Sequence, residues 1–248
     1  MERGFAERYA DLEQWHWWFR GRRRILDDLL RRRLDGHAPL AIVSLGAGPP
    51  EGLDWLVALA GPRGRVVALD AEHIHARRLV PHLYYTVGDL RALPLAHAAF
   101  DVVLALDVLE HLDDDATALA EAARLLKSDG TLLVTVPALP GLWGAQDVVS
   151  HHRRRYTKHT LRALFARAGL PAPGLTYFNT LLLPPLAAVR WLARARGPST
   201  EPVSDFEKNR PGLANELLAR VFAVERHLLR HLNLPVGASL LATLPPAR

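Results

Sequence analysis

The spacing of apolar residues is helical in the first part of the chain. From residue 5 to residue 34 there is no proline, and leucine and isoleucine recur with helical spacing between Ile25 and Leu30. Gly36 and Pro39 then break the pattern. These positions predict a helical N-terminal segment ahead of any strand.

From residue 40 onward, short apolar runs alternate with helical stretches. The predicted strands cover residues 40–45, 65–69, 83–87, 100–106, 131–136, 174–180 and 236–244. The predicted helices cover residues 51–60, 116–126, 157–168, 186–195 and 213–232. Because parallel neighbours need crossover connections, this order predicts an α/β fold. We expect a Rossmann-like, mostly parallel seven-stranded sheet with helices on both faces, N-terminal helices and a helical insertion before the last strand.

The same pattern divides the chain into four parts. We predict an N-terminal helical cap (1–38), a Rossmann-like ligand-binding core (39–180), a helical insertion or cap (181–233) and the final strand of the core sheet (234–248). The polar linker over residues 197–210 is the best candidate for a mobile loop.

Composition narrows the class of protein. The chain has 248 residues, of which 49% are hydrophobic, so it can bury one sizeable core. It has no cysteine, which excludes disulfides, thiolate metal sites and a cysteine nucleophile; we predict no metal site. The N-terminus lacks the apolar run of a secretion signal and no stretch is apolar enough to cross a bilayer, so a cytoplasmic location is expected.

A glycine turn and three aspartates mark one edge of the predicted sheet. Gly46-Ala47-Gly48 follows the first strand, where glycine lets the backbone approach a ligand. Asp70, Asp89 and Asp107 end the second, third and fourth strands, at the edge where open α/β folds bind ligands. Each aspartate alone is also typical of a turn or a helix cap. Together they predict a nucleotide-like ligand, with ribose hydroxyls at Asp70 and an adenine amino group at Asp89.

These motifs resemble a known superfamily. Residues 43–48, 88–89, 100–103 and 107–112 look like the successive motifs of class I S-adenosylmethionine-dependent methyltransferases. Residues 15–24 and 152–157 resemble one bacterial branch of it. The resemblance implies S-adenosylmethionine as cofactor. It assigns the cofactor contacts to Gly46, Ala47 and Gly48 for the methionine part, Asp70 and Ala71 for ribose, Asp89 and Leu90 for adenine, and Asp107.

The chain departs from the family pattern in the glycine turn. Pro50 replaces the usual glycine, and Ala47 stands where the family has cysteine or a similar small residue. Pro49 and Pro50 also lack backbone N–H donors. The turn is therefore either a weaker cofactor site or a more rigid one.

The acceptor side offers histidines and a tyrosine. A sulfonium methyl group is already activated, so the protein has mainly to align the acceptor and exclude water. The resemblance places His111 near the methyl position, while His151, His152 and Tyr156 lie on the connection after the fifth strand. We predict His111, His151 and Tyr156 as candidate catalytic residues. A packing role for His111 and a solvent-exposed role for the loop histidines are the alternatives.

Aromatic and basic clusters indicate which molecules the protein could contact. Trp15, Trp17, Trp18 and Phe19 either pack on the core or form a lid. The run Arg153-Arg154-Arg155 either grips an anionic substrate or pairs with surface acids. Leucine, tryptophan and arginine mix after Leu181, which suits a substrate cap or contact with an anionic membrane. The expected acceptor is a small or lipid-linked molecule.

Three other functions share part of the pattern. A nicotinamide-dependent oxidoreductase lacks support, because the third glycine is absent and Tyr156 and Lys158 have the wrong spacing for a reductase pair. A nucleic-acid methyltransferase is disfavoured, because an Asn/Asp-Pro-Pro-aromatic motif is absent after the fourth strand. A degenerate, non-catalytic methyltransferase fold stays open, since fold alone does not settle function.

Overall fold

A computed structural model describes residues 3–34, 36, 39–71, 80–195 and 204–244, with the side chains of residues 3–8 left aside. Its strands are β1 (Ala41–Leu45), β2 (Arg65–Asp70), β3 (Leu83–Val87), β4 (Phe100–Leu106), β5 (Leu126–Pro137), β6 (Gly174–Phe178) and β7 (Ser239–Leu244). Its α-helices are α1 (Arg3–Trp15), α2 (Trp17–Leu34), α3 (Asp54–Ala60), α4 (Asp115–Arg124), α5 (Ala145–Val149), α6 (Lys158–Arg167), α7 (Leu183–Ala195) and α8 (Leu213–Leu228).

The strands form one seven-stranded sheet in the order β3-β2-β1-β4-β5-β7-β6. The pairs β3-β2, β2-β1, β1-β4 and β4-β5 are parallel. Only β7, of the seven strands, runs antiparallel to its neighbours β5 and β6. The predicted Rossmann-like, mostly parallel seven-stranded sheet is therefore confirmed, with a mixed edge.

Alternate side chains of the central strands enter two separate cores. On β4, Val103 and Ala105 face one core while Val102 and Leu104 face the other, and all four are buried. This alternation follows from the two-residue period of a strand. Helices α4 and α6 cover the first core, and α2, α3 and α8 cover the second. Because both faces are covered, the inner strands are mostly apolar.

Helix α8 packs closely on α2. A Cβ on Gly21 would lie 2.4 Å from the Phe222 ring, so glycine permits this approach. Phe222 also stacks on Phe178 of β6 at 6.0 Å between ring centroids. Residues from the first and last parts of the chain thus complete one face of the sheet, and the four-part division of the chain stays a prediction.

The predicted N-terminal helical segment is two helices that meet at His16. The backbone N–H of Trp18 donates to His16 Nδ1 at 3.2 Å, and that of Trp17 donates to Asn215 Oδ1 at 2.8 Å. Side chains thus satisfy donors at the start of α2. No period in the sequence indicates this break, because a tertiary partner from α8 makes one of the bonds.

The fifth strand begins earlier than predicted. The strand was predicted from residue 131, after the turn-forming pair Asp129-Gly130, but β5 already pairs with β4 at Leu126 and Phe100. The register shifts between Phe100 and Val102, and Lys127 pairs with Asp101 at 2.8 Å. A bulge of this kind absorbs the turn-forming residues within the strand.

Half of the predicted mobile loop over residues 197–210 falls outside the described residues, which omit 196–203. Its later part is packed: the Ser204 hydroxyl donates to Gln146 Oε1 at 2.6 Å, and the Phe206 ring lies 5.2 Å from that of Phe19. Ser204 and Phe206 thus pack on the rest of the protein, and the mobility of the linker stays a prediction. Among the helices described, none is long and apolar enough to cross a membrane.

Candidate active site

The turn after β1 requires glycine. Gly46 and Gly48 have φ values of +62° and +65°, in the left-handed region that favours glycine. A Cβ on Gly46 would lie 2.4 Å from Cγ2 of Val108, so this turn packs directly on the segment after β4. The Ala47 N–H donates to the Leu69 carbonyl at 3.1 Å. The turn therefore joins the carboxyl ends of β1, β2 and β4.

The two prolines lie where a helical turn begins. Pro50 is the first residue of the 3₁₀ helix Pro50–Gly52, where a backbone N–H has no partner within the helix. The Pro49 carbonyl accepts the N–H of Gly52 at 3.1 Å. The prolines thus start this helix without removing a hydrogen bond from it.

Asp70 ends β2 beside the glycine turn. Its Oδ2 accepts the Gly48 N–H at 3.0 Å, and its Oδ1 accepts the Ala71 N–H at 2.7 Å. The carboxylate is half-buried, and residues 72–79 beyond it are outside the description. Four of the predicted cofactor residues, Gly46, Gly48, Asp70 and Ala71, thus lie together at one edge of the sheet.

Asp89 follows β3 on the same edge but is exposed. Arg91 binds it with two guanidinium nitrogens, the shorter contact being 2.6 Å. Hydrogen bonds from the Arg91 side chain and backbone lower the pKa of Asp89 to about 2. Leu90, next along the chain, is half-buried against the first core. Asp89 is therefore ionised and already paired.

Asp107 follows β4 in a left-handed conformation, with φ of +54°. Its Oδ2 accepts hydrogen bonds from Arg22 at 2.5 Å and from the Thr135 hydroxyl at 3.0 Å. A non-glycine residue with this φ is uncommon and persists only when surrounding contacts hold it. The contacts from α2 and β5 supply that constraint.

Helices α1 and α2, which we call the N-terminal arm, cover this edge. Arg22 and Glu13 of the arm are both buried, and Arg22 lies 3.8 Å from Glu13 Oε1 and 4.3 Å from the centre of the Trp18 ring. Tyr9 of the arm also faces the turn, since a Cβ on Gly48 would lie 3.9 Å from its ring. Burial and the nearby Glu13 raise the pKa of its hydroxyl. A cavity of about 70 Å³ remains between the arm and the turn; its lining includes Tyr9, Glu13, Arg22, Gly46, Gly48 and Asp107.

Arg22 and Glu13 were not among the predicted site residues. One sequence signal for Arg22 existed: it lies three residues from both Phe19 and Ile25, which are buried. Residues three apart share one face of a helix, so Arg22 had to lie on the buried face of α2. A charged residue on such a face needs a partner, which here is Asp107.

Three side chains of types that can bind a metal ion lie close together on the other side of Asp107. Glu110 and His111 belong to the 3₁₀ helix Leu109–His111, and His152 follows α5. The rings of His111 and His152 lie 4.8 Å apart at 82°. His152 Nε2 lies 3.8 Å from Glu110 Oε1. Burial and the neighbouring His152 lower the pKa of His111 to about 4, so its ring is neutral.

The other two predicted catalytic residues lie in different surroundings. His151 is exposed, with φ of +54°. Tyr156 is buried in the first core, and its hydroxyl donates to Asp115 Oδ2 at 2.9 Å. Burial and Asp115 raise the pKa of this hydroxyl. Tyr156 thus has a structural partner within the core, which corrects its expected place at the reacting group.

The arginine run pairs with acids of the chain. Arg153 lies 2.5 Å from Asp113, Arg154 lies 3.1 Å from Asp115, and Arg155 lies 2.7 Å from Asp147. Of the two alternatives, pairing with acidic side chains is therefore the one observed. The first two contacts fasten the connection after β5 to the segment after β4, and the third lies within that connection.

The tryptophan cluster of the arm is packed. Phe19 is fully buried, and the Trp18 ring lies 4.9 Å from the Phe19 ring and 5.6 Å from that of Phe206. Trp17 contacts Phe222 of α8 edge-on at 5.8 Å. Aromatic pairs at these distances stabilise a packed arrangement beyond the area they bury.

The sheet order and the acidic edge define a nucleotide-binding α/β domain with its ligand edge under a helical arm. Residues 43–134 match the methyltransferase domain family. This part of the chain is thus similar to methyltransferase domains, and the similar proteins include ones named as probable S-adenosylmethionine-dependent methyltransferases.

Two similar sequences and one similar solved structure illustrate the comparison. Trans-aconitate 2-methyltransferase of Azoarcus sp. is 36% identical over 66% of this chain and 63% of its own. A protein of Mycobacterium tuberculosis named as a probable S-adenosylmethionine-dependent methyltransferase is 29% identical over 64% of this chain and 57% of its own. Geranyl diphosphate C-methyltransferase of Streptomyces coelicolor, solved with S-adenosyl-L-homocysteine, has a TM-score of 0.55 at 16% identity, covering 89% of this chain and 79% of its own.

The last of these comparisons concerns the fold alone, because the identity is low. The chain spans between 32% and 63% of the length of the curated relatives it matches.

Proposed function

We propose that this protein transfers a methyl group from S-adenosylmethionine to a small-molecule or lipid-linked acceptor by in-line displacement. The observation that carries the proposal is the meeting of the glycine turn, Asp70 and Asp107 at one sheet edge, beside a cavity lined by the arm. Histidines lie directly beyond Asp107, where an acceptor would approach.

The polar groups around the turn fit the cofactor. Asp70 is half-buried and ends the second strand, where a carboxylate accepts the two hydroxyls of a ribose. Gly48 leaves open space above the turn, because a Cβ there would meet only Tyr9, at 3.9 Å. We place the methionine part at Gly46, Ala47 and Gly48. Ribose is placed at Asp70 and Ala71, and adenine at Asp89 and Leu90.

Arg22 and Asp107 suit the two charges of an amino acid. The ammonium group of the cofactor needs an acceptor, which Asp107 supplies, and its carboxylate needs a donor. Arg22 has a buried Nε without a hydrogen-bond partner in the described structure. A guanidinium binds a carboxylate through two nitrogens, so Arg22 can hold the cofactor carboxylate while keeping Asp107 as neighbour.

The arm has to move when the cofactor binds. The cavity of about 70 Å³ is far smaller than the roughly 300–1,000 Å³ of pockets that hold ligands of this size. Arg22, Glu13 and Tyr9 enter it from the arm. Displacing the arm admits the cofactor, and its return excludes water from the reacting groups. This joins both earlier interpretations of the tryptophan cluster, since the arm is packed and also covers the site.

The chain's own residues then have mainly to position the reactants. S-adenosylmethionine, when bound, supplies a methyl group on a sulfonium sulfur that leaves as a neutral thioether. Asp70 and the glycine turn fix the orientation of that group, and His111 lines the acceptor side. The acceptor contributes the electron pair of the new bond to carbon and releases its proton to solvent or to a nearby base. Proximity and orientation account for most of the acceleration.

The acceptor class rests on relatives and on the surface. Trans-aconitate and geranyl diphosphate, named in two similar proteins, are both small molecules. Trp191 is 68% exposed on α7, beside exposed Val189 and Leu192, and Arg194 follows. This apolar and basic surface suits an acceptor carried on a lipid. Flotation with anionic vesicles tests the lipid-linked option: the protein should float with them, and its absence from the vesicle fraction would leave the small-molecule option.

The deciding experiment is calorimetric titration with S-adenosylmethionine, S-adenosylhomocysteine and NAD. We expect one molecule of either sulfur nucleotide to bind per chain, and NAD not to bind. Asp70→Ala should weaken both by about 10–100-fold, because it removes charge-assisted hydrogen bonds to ribose.

Asp129→Ala is the matched control, since Asp129 is exposed in β5, far along the chain from the turn. It should leave both affinities unchanged. If neither sulfur nucleotide binds, or if NAD binds instead, the proposal is wrong. Cofactor binding without transfer to any acceptor would support the degenerate, non-catalytic fold.

A further inference from the structure

Glu110 is a buried carboxylate without a hydrogen-bond partner among the described residues. Its relative exposure is 0%, and neither carboxylate oxygen has a hydrogen-bond partner within the described part of the chain. Burying an unpaired polar group costs free energy, so such a group in a native fold needs an explanation. The proposed methyl transfer does not use this side chain.

Two imidazoles face the same carboxylate. One ligand atom each from Glu110, His111 and His152 lies within 4.8 Å of the other two. Around a tetrahedral ion, ligand atoms at about 2.0–2.1 Å from the metal lie about 3.3 Å from each other. The group is therefore slightly wider than a closed site, by an amount that side-chain rotation covers.

One of the histidines, His152, is oriented through its second ring nitrogen, as metal ligands usually are. His152 Nδ1 lies 2.9 Å from Asp147 Oδ1, which also accepts a hydrogen bond from Arg155. Because a carboxylate accepts hydrogen bonds, this contact directs the N–H at Nδ1 of His152 toward Asp147. The lone pair on Nε2 then faces Glu110.

In metal sites, the second ring nitrogen of a ligating histidine typically donates to a carboxylate or a carbonyl, which fixes the tautomer and raises the basicity of the ligand. His152 meets that condition through its contact with Asp147.

We propose that Glu110, His111 and His152 bind one divalent transition-metal ion. Two imidazoles and one carboxylate suit Zn²⁺, Co²⁺ or Fe²⁺, whereas Mg²⁺ and Ca²⁺ prefer oxygen ligands alone. Three protein ligands leave coordination positions free for water or for an oxygen of a bound molecule. The absence of cysteine accompanied our prediction of no metal site. The three ligands proposed here are a carboxylate and two imidazoles, and they come from two distant segments, so no short motif indicates them.

The test is titration of the tag-free, chelator-treated chain with Zn²⁺ by calorimetry and with Co²⁺ by visible absorption. We expect one ion of either metal per chain, with cobalt bands of a low-coordinate nitrogen–oxygen site, and much weaker binding of Mg²⁺. His111→Ala and His152→Ala should each weaken Zn²⁺ binding at least about 100-fold. His159→Ala, a change at an exposed histidine of α6, should leave it unchanged.

A second measurement separates lost binding from lost folding. Glu110→Gln keeps the side-chain shape, so the variant should fold. Increasing Zn²⁺ should raise the Tm of the unchanged protein but not that of Glu110→Gln. Failure to bind an ion stoichiometrically, equal Zn²⁺ affinity in the His152→Ala variant, or an equal rise of Tm in Glu110→Gln would each overturn the proposal. None of these measurements depends on methyl transfer.

Discussion

The two sides of Asp107 differ in how their charges are satisfied. On the cofactor side, Asp70 accepts two backbone hydrogen bonds, and Asp107 itself accepts from Arg22 and Thr135. On the acceptor side, Glu110 is more deeply buried and accepts none. The two carboxylates of this loop, Asp107 and Glu110, are three residues apart and share one polypeptide turn.

The difference indicates what each side needs. The carboxylates of the cofactor side are hydrogen-bonded without a ligand, so binding there has to displace or share existing contacts, above all those of the arm. The acceptor side holds an unpaired carboxylate that burial and the nearby Asp107 keep at a raised pKa. A cation or a hydrogen-bond donor that enters such a site stabilises the unpaired carboxylate.

The largest expected effect separates the two carboxylates of the loop. Asp107→Asn should lower the free energy of unfolding by about 3 kcal/mol, because it leaves the buried Arg22 guanidinium with only Glu13, at 3.8 Å. Glu110→Gln, measured in the presence of a chelator, should leave it unchanged or raise it by up to about 1 kcal/mol. Urea unfolding of both variants checks the signs.

Asp107→Asn and Glu110→Gln each replace one carboxylate oxygen by an amide nitrogen, in two side chains of one loop. If Glu110→Gln destabilises the chelator-treated protein as strongly as Asp107→Asn does, the carboxylate of Glu110 has a stabilising partner. The contrast between the two sides would then fail.

A second expected effect concerns the turn that joins the two sides. Gly46→Ala should lower the free energy of unfolding by about 2–3 kcal/mol, because it adds a clash with Val108 to the strain of a positive φ. Gly169→Ala, at φ of +72° with open space around it, should lower it by only about 1 kcal/mol. Equal losses by chemical denaturation would mean that Val108 moves aside freely.

Local sequence determines the parts of the site that could be predicted. Gly46, Gly48 and Asp70 occupy fixed positions relative to strand ends, and a parallel sheet brings strand ends to one edge. The spacing of apolar residues likewise gives every strand of the sheet. Within the fold, each of these features depends on residues close together in the sequence or on the common direction of strands.

The missed residues depend on contacts between distant segments. Arg22 meets Asp107 across 85 positions, and Asn215 meets the start of α2 across 198. His152 lies near Glu110, and the adjacent Arg153 and Arg154 fasten this connection to the segment after β4. Periodicity shows that Arg22 is buried but not which acid it meets. The same limit applied to Tyr156, whose partner Asp115 lies on α4.

The smallest expected effect compares two histidines of similar pKa. Burial lowers the pKa of both His16, in the arm, and His111, on the acceptor side, to about 4. The His16 ring is satisfied: Nδ1 accepts from Trp18 at 3.2 Å, and Nε2 contacts the Asn209 side-chain amide at 3.1 Å. A lowered pKa therefore does not by itself distinguish a structural histidine from one that faces an unpaired group.

Because His16 titrates near 6.5 when unfolded and near 4 when folded, the unfolded chain takes up its proton first as pH falls. The stability that depends on the neutral ring is present above pH 6.5 and is lost as pH falls toward 4. Between pH 7.5 and pH 5, the unchanged protein should lose about 1–2 kcal/mol more than His16→Gln does. Urea unfolding at both pH values, with chelator present, measures this difference. Equal losses in the two proteins would show that the His16 ring is accessible to protons in the folded state, and that the arm opens over the cofactor side without a ligand.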